Sequence, residues 1–156
     1  MLQPDQDVIR GLGFVTLHSA YLEEEIENLR SALGSIEAVG EREHKWPISK
    51  KIERVREIVE NFDFEGRGEL LANLDEAKAT FESRNEVVHG RIYAGFDRGQ
   101  TLRAGRPNIP DRPIEPGELY DLANHFMALR NEILRPMLFK IPRALAARPR
   151  RLVSSV

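Results

Sequence analysis

Arg84, Asn85 and His89 bring together, within six residues, the side-chain types that metal-free cleavage of a phosphodiester bond requires. Histidine transfers protons near neutral pH because its ordinary pKa lies close to neutrality. Arginine presents a planar fork of N–H donors that binds two phosphate oxygens and offsets the charge that builds on phosphorus. Asn85 can orient the histidine or donate to phosphate. Acting on RNA, these groups would leave a 2′,3′-cyclic phosphate and a 5′-hydroxyl.

The three residues close a strongly helical segment that spans residues 69–89. Its apolar residues recur at helical steps of four and three, and they are Leu70, Leu74, Ala77, Phe81 and Val88. Arg84 occupies a position in this rhythm where a core residue is expected, and an arginine aimed at a core needs a charged partner or a cleft. Gly90 is expected to end the helix in the left-handed conformation, which places His89 in the last turn.

Arg84 and His89 do not share a helical face, because five steps along an ideal helix turn through about 140°. They converge only if the helix ends or distorts near Val88, or if Arg84 serves the His89 of a second copy. Cleavage also needs two proton transfers, whereas one chain offers one histidine at this motif. A symmetric dimer that places two copies of the motif at one cleft would answer both requirements.

The pattern Arg84-Asn85-x-x-x-His89 resembles the Arg-x(4–6)-His signature of the HEPN superfamily, in the variant with a polar residue directly after the arginine. The context agrees, since the motif ends the third helix of a small helical chain and one more long helix follows. The likeness spans roughly residues 10 to 138. Two further segments also resemble recurrent features of bacterial members: Tyr21-Leu22-Glu23 on the first helix and Ser49-Lys50-Lys51-Ile52 at the start of the second.

This resemblance implies a small all-α domain that often dimerises. Many members are metal-independent endoribonucleases, some of them toxins, so it implies RNA, a second copy and an antitoxin protein as partners. Other members are inactive binding modules. By its position in the motif, the resemblance assigns catalysis to Arg84, Asn85 and His89, without a cofactor.

Composition narrows the remaining classes of function. The chain has 156 residues, enough for one domain with a real core, and a net charge of −2, so any RNA must meet a local positive cleft. The absence of cysteine excludes disulfides, thiolate zinc sites and cysteine nucleophiles. The four histidines are dispersed without metal-ligand spacing, and no Gly-x-Ser-x-Gly elbow is present. No apolar run or leader-like start predicts a membrane segment or export, so a cytoplasmic location is expected.

The periodicity predicts an all-α protein, an antiparallel bundle of four main helices. The expected helices are residues 5–33, 49–61 and 69–89, and a fourth that Pro116 opens and Pro136 stops. A short hairpin or ordered loop is expected after the third helix, over residues 91–96 and 100–103, with residues 105–113 irregular. Residues 1–139 should form the domain, and the basic, proline-broken tail 140–156 should fray.

Five residues outside the motif could support the site. Glu23 either belongs to a solvated acidic face or meets Arg84 across the helix interface, where a carboxylate would offset the burial of the guanidinium. Lys50 and Lys51 lie in the first turn of the second helix, which Ser49 is expected to cap; they are either solvated or paired with phosphate. Arg91 and Tyr93 either decorate a surface hairpin or contact phosphate and base.

The leading hypothesis from sequence is therefore a dimeric, metal-independent endoribonuclease, in one setting the toxin of a toxin–antitoxin pair. The first alternative is a non-catalytic HEPN-like binding module, which the modest net charge favours. The second is a plain helical bundle in which Arg84 and His89 are structural. In that last case Arg84→Ala should cost several kcal/mol, because it would leave a buried partner unpaired.

Overall fold

The computed structural model describes residues 7–94, 100–103 and 107–148. The helices are α1 (Val8–Ala32), α2 (Ile48–Glu60), α3 (Arg67–His89), α4 (Pro116–Arg135) and α5 (Ile141–Ala146). The strands are β1 (Arg91–Ala94), β2 (Gln100–Arg103) and β3 (Arg112–Ile114). The predicted bundle of four main helices is confirmed, and residues 5 and 6 of the first predicted helix lie outside the described residues. None of the described helices is both long and apolar enough to cross a bilayer.

Helix α1 begins where a side chain caps it and where a glycine lets α4 approach. Asp7 accepts hydrogen bonds from the backbone N–H groups of Ile9 and Arg10, at 2.9 and 3.2 Å. Gly11 is buried, and a Cβ atom at this position would lie 2.9 Å from the Cβ of Leu119. The missing side chain therefore sets the close packing of the two helices.

Helices α1 and α4 point in the same direction. Gly11 lies against Leu119 near the start of both helices, and Glu25 pairs with Arg130 at 2.9 Å towards their ends. This pair departs from the antiparallel order expected for the bundle. By contrast, α3 is antiparallel to α4, since Glu65, just before α3, contacts Lys140, just after α4.

The long connection between α1 and α2 explains the unexpected direction. It turns back along α1, because Arg30 donates to the carbonyl oxygens of Glu37 and Ala38, each at 2.9 Å, and to the carboxylate of Glu43 at 2.6 Å. Helix α2 consequently begins beside α1, and the Nζ atom of Lys51 lies 3.0 Å from Glu23. The chain thus returns before it builds the antiparallel pairs α2–α3 and α3–α4.

The buried face of α3 follows the predicted stripe until its last turn. Leu70, Leu74, Ala77 and Phe81 are all buried in the core as expected. At the end of the helix Val87, which is 3% exposed, enters the core instead of the predicted Val88, which is half-buried. The stripe therefore rotates by one position as the motif begins.

A three-stranded antiparallel sheet follows α3, in the order β1-β2-β3. The hairpin expected over residues 91–103 is present as β1 and β2, while its turn, residues 95–99, lies outside the described residues. The expectation that residues 105–113 are irregular is wrong for Arg112 and Pro113, because β3 begins there. The reason is burial: Leu102 and Ile114 are 1% and 3% exposed, so the sheet packs against the core.

The chain beyond α4 also differs from expectation. Pro136 does not stop the helical path, which continues through a π-helical turn at Pro136–Lys140 into α5. The predicted fraying is therefore wrong for residues 141–146. Ile141 is fully buried and Met137 is 9% exposed, so this segment extends the core. Residues 149–156 lie outside the described residues.

Candidate functional site

Helix α3 stays regular through the motif, and β1 begins two residues after the helix ends. The N–H of Gly90 donates to the carbonyl oxygen of Glu86 at 3.0 Å, which closes the last turn. Gly90 has φ −74° and ψ 167°, so the predicted left-handed conformation is wrong. The backbone is already extended because β1 starts at the next residue. A Cβ atom on Gly90 would lie 2.5 Å from Leu102 Cδ1, so close approach explains the glycine.

Arg84 is half-buried and incompletely satisfied. Its Nη1 atom donates to the Oδ1 atom of Asn85 at 3.2 Å, a neutral and local contact. Its Nε atom is buried and has no hydrogen-bond partner among the described residues. A buried donor left unpaired is costly, which makes it a site where an added acceptor would be stabilising.

Glu23 does not pair with Arg84, so the predicted salt bridge across the helix interface is wrong. Glu23 accepts from Lys51 at 3.0 Å, and Arg84 forms no ion pair with any described residue. The purely structural hypothesis for Arg84 assumed a buried charged partner, and among the described residues there is none. Arg84 thus occupies its core-facing position without the compensation expected for an architectural arginine.

His89 lies in the last turn of α3 and is exposed. No hydrogen bond joins it to Arg84 or Asn85 within the described residues, and Asn85 Oδ1 faces Arg84 instead. Because α3 is regular, Arg84 and His89 remain about 140° apart around the helix. The structure therefore brings Arg84 and Asn85 together and leaves His89 separate, and distortion of the helix does not make the two key side chains converge.

Lys51 is not the free cation that the sequence suggested. Its side chain is 10% exposed, and its Nζ atom bonds to Glu23 and to Glu27. Burial lowers the pKa of Lys51, but the hydrogen bonds to Glu27 and Glu23 outweigh this and leave the pKa raised. Lys51 is therefore a permanent charge that fastens α2 to α1, and its predicted phosphate contact is wrong.

Lys50 remains exposed, and its Nζ atom lies 4.1 Å above the ring of Trp46. The groove that it lines has a volume of about 260 Å³ and also contains the carboxylates of Glu53 and Glu57. These negative charges would repel a phosphate at this place. Ser49 does not cap the helix, since α2 begins one residue earlier.

The hairpin after His89 supplies a cationic and aromatic corner. Arg91 and Tyr93 are exposed, as their predicted roles require, and Tyr93 is 44% exposed. Arg103, which the sequence analysis did not single out, lies directly opposite Arg91 in the ladder and holds its guanidinium 4.9 Å from the ring of Tyr93. Arg103 also pairs with Asp111 at 2.9 Å, an exposed ion pair that water and salt weaken, whereas Arg91 forms no ion pair with any described residue.

Arg112 is a second residue beside the motif that the sequence did not single out. It donates to Glu86 at 2.8 Å and to Glu118 at 2.6 Å, which joins β3 to the motif turn of α3 and to the start of α4. The hydrogen bonds to Glu118 and Glu86 raise the pKa of Arg112, so this clamp stays charged at any ordinary pH. A carboxylate in the fourth helix's first turn was visible in the sequence, but its partner on β3 was not.

No metal site accompanies the motif in the described part of the chain. No group of three histidine or acidic residues there could hold a metal. Pockets of about 120, 260 and 430 Å³ occur in the described regions, and neither Arg84 nor His89 lines any of them. Comparison with family models, with curated proteins and with solved structures finds no match to this chain. Function must therefore be inferred from its own residues.

Proposed function

We propose that the protein is a metal-independent endoribonuclease of HEPN type that cleaves single-stranded RNA to 2′,3′-cyclic phosphate and 5′-hydroxyl ends. The observation that carries the proposal is the half-buried guanidinium of Arg84, whose buried Nε atom has no partner among the described residues. A phosphate oxygen is the acceptor that such a planar donor fits best. His89 stands exposed at the end of the same helix, where it is available for proton transfer.

The proposed active unit is a homodimer. One copy keeps Arg84 and His89 on different sides of a regular helix, so it offers only half of the required arrangement. Two-fold symmetry would place a second motif at the same cleft, and it would supply one histidine as base and the other as acid. In the toxin setting an antitoxin protein would cover this cleft.

Each residue then has a distinct task. His89 moves the proton, and Arg84 stabilises the charge that develops on phosphorus. Asn85 is a positioning residue for Arg84, because its side-chain oxygen already accepts from that guanidinium. Arg91 and Arg103 bind the neighbouring phosphate, and Tyr93 provides a ring for a base.

The test is incubation of the purified protein with single-stranded RNA in the presence of a chelator. We expect scission with cyclic-phosphate ends, and a fall of about 10²–10⁴-fold in rate for either Arg84→Ala or His89→Ala. Arg84→Ala should leave the thermal midpoint almost unchanged, since Arg84 anchors no buried counter-charge among the described residues.

His125→Ala is the matched control, because His125 lies on α4 and contacts Glu76 at 2.9 Å, away from the motif. This variant should cleave like the parent protein. Scission that persists when both Arg84 and His89 are alanine would refute the assigned site.

A non-catalytic binding module is the second candidate, and the regularity of α3 favours it. A helix that holds Arg84 and His89 apart can still bind an anion at Arg84 without cleaving it. Stable RNA binding without any scission, in chelator and with added divalent metals alike, would decide for this alternative.

A further inference from the structure

The net charge of the chain is very unevenly distributed. The sequence after Glu132 contains no carboxylate and six basic residues, so the total of −2 divides into +6 for residues 133–156 and −8 for residues 1–132. The six residues are Arg135, Lys140, Arg143, Arg148, Arg150 and Arg151. A protein that is acidic as a whole thus carries a strongly basic region, which attracts polyanions locally.

The described part of this region forms a groove with an aromatic wall. The groove has a volume of about 430 Å³, and its lining contains two cations, one carboxylate and one aromatic ring: Glu65, Phe139, Lys140, Arg143, Ala144 and Ala147. Phe139 is 69% exposed and Leu138 beside it is 53% exposed. The π-helical turn that carries them adds one residue per turn and pushes them out of the core.

The cations around this groove differ in whether they already interact with another side chain. Arg143 is exposed and forms no ion pair with any described residue. Lys140 is shared with Glu65 at 3.3 Å, an exposed pair that water and salt weaken. Arg148 lies 5.6 Å from the ring centre of Phe62 and is exposed at the end of the described chain.

We propose that this groove binds a segment of single-stranded RNA, with a base stacked on Phe139 and the adjacent phosphates on Arg143 and Arg148. A positive groove with an exposed ring is the arrangement by which proteins hold single strands without reading their sequence. The proposal rests on the proposed function for the class of ligand, and it adds where the substrate is held.

The shape of the surface favours a nucleic-acid strand over a lipid bilayer. A bilayer is flat, whereas Phe139 borders a concave groove that is large enough to take a base. Arg143 and Lys140 line the groove itself, so bound phosphates would meet the cations beside the ring.

The groove lies at the opposite end of α3 from the motif. Lys140 contacts Glu65 just before α3 begins, and His89 ends this helix of 23 residues, so the two places are roughly 33 Å apart. A short oligonucleotide therefore reaches only one of them, and a long strand can occupy both.

The test measures binding of a fluorescent single-stranded RNA to the full chain, in chelator and on a His89→Ala background. Phe139→Leu keeps an apolar side chain but removes the ring, and we expect affinity to fall about 5-fold or more. Arg143→Gln removes one phosphate contact, so the slope of log affinity against log salt should become shallower by about 0.7.

Arg42→Gln is the control, because it removes the same charge from the exposed connection between α1 and α2. It should bind RNA like its background. Equal binding by the Phe139→Leu, Arg143→Gln and background proteins would overturn the proposal, as would no RNA binding at all. It would also be overturned if the two variants lost only their binding to vesicles of phosphatidylserine and phosphatidylcholine.

The two proposals fail separately. If RNA is never cut but the Phe139→Leu and Arg143→Gln variants bind it more weakly, the proposed RNA-binding groove is supported and the proposed nuclease activity is refuted. If RNA is cut in a manner that depends on Arg84 and His89 but the groove variants bind RNA like the background protein, the nuclease activity is supported and the RNA-binding groove is refuted.

Discussion

Arg30 and Arg84 are both arginines that point inwards from neighbouring helices, but their environments are opposite. Arg30 is 6% exposed and gives every guanidinium nitrogen a partner, namely the carboxylate of Glu43 and two backbone carbonyls. Among the described residues, the one hydrogen-bond partner of the Arg84 guanidinium is the neutral side-chain oxygen of Asn85. A buried arginine with complete pairing maintains architecture, whereas the unpaired buried donor of Arg84 is, under the proposed function, the group that binds phosphate.

Glu43→Gln should destabilise the protein strongly at neutral pH. It leaves the Arg30 guanidinium buried without its counter-charge, a loss on the order of 3 kcal/mol. Chemical denaturation of both proteins would measure this loss. The double variant Arg30→Met with Glu43→Leu should recover much of it, because no unpaired charge then remains.

The same pair sets an acid limit on stability. The hydrogen bond from Arg30 lowers the pKa of Glu43 below its ordinary 4.5, against an opposing effect of burial. The unfolded chain binds this proton more readily, so the stabilisation is full above 4.5 and is lost as the pH falls through the lowered pKa. Glu43→Gln should flatten that part of the pH–stability curve, and an unchanged acid slope would contradict the assignment.

At the scale of single residues, the sequence predicted which positions face the core better than it predicted which side chains form pairs. The apolar rhythm placed Arg84 at a core-facing position, and the structure finds it half-buried there. The pairing of Glu23 was assigned wrongly because a contact between helices depends on their relative rotation and direction. Periodicity along one helix contains no information on either quantity.

At the scale of elements, the junction between α3 and β1 determines where the motif ends. The helix continues to His89 and the sheet begins two residues later, while Arg112 ties the last turn of the helix to β3. There is consequently no loop in which His89 could swing towards Arg84. The exposed His89 therefore lies directly before the hairpin that carries Arg91 and Arg103.

Gly90→Ala should weaken this junction through overlap of atoms. The added Cβ would lie 2.7 Å from the Glu86 carbonyl oxygen and 3.0 Å from that of Arg103, so the backbone must shift. We expect a loss of about 1–3 kcal/mol in denaturant unfolding. Gly13→Ala is the control, because nothing lies within 4 Å of its added Cβ and alanine favours the helix, so stability should rise by about 0.5–1 kcal/mol. Equal effects of the two changes would refute this packing argument.

The main helices could be predicted, whereas the smaller elements could not. Each of the four has an apolar stripe long enough to reveal its period. Strand β3 has three residues, one of them proline, and α5 has six residues, of which the second is proline, so local composition argued against both. Burial of Ile114 and Ile141 decides their structure, and such tertiary effects are not visible in a short window.

At the scale of the whole molecule, the proposed nuclease site is half a site per chain. Activity should therefore depend on assembly. We expect the cleavage rate per chain to fall on dilution through the range in which the dimer dissociates, as followed by sedimentation of the same samples. Mixing Arg84→Ala with His89→Ala should not restore the rate, because the mixed dimer carries one His89 and the proposed cleft uses two, one as base and one as acid. A specific rate that stays constant for a proven monomer would rule out the shared cleft.

The parallel pairing of α1 with α4 has a consequence for how the chain reaches its native state. Glu25 and Arg130 are 105 positions apart, yet they belong to the helix pair that packs most extensively among the described elements. Contacts of such large sequence separation form late, because a long loop must close first. During synthesis α1 leaves the ribosome without its main neighbour and must wait, with its apolar stripe uncovered, until α4 has been made. A nascent chain of this protein should therefore be a substrate for chaperones for most of its elongation.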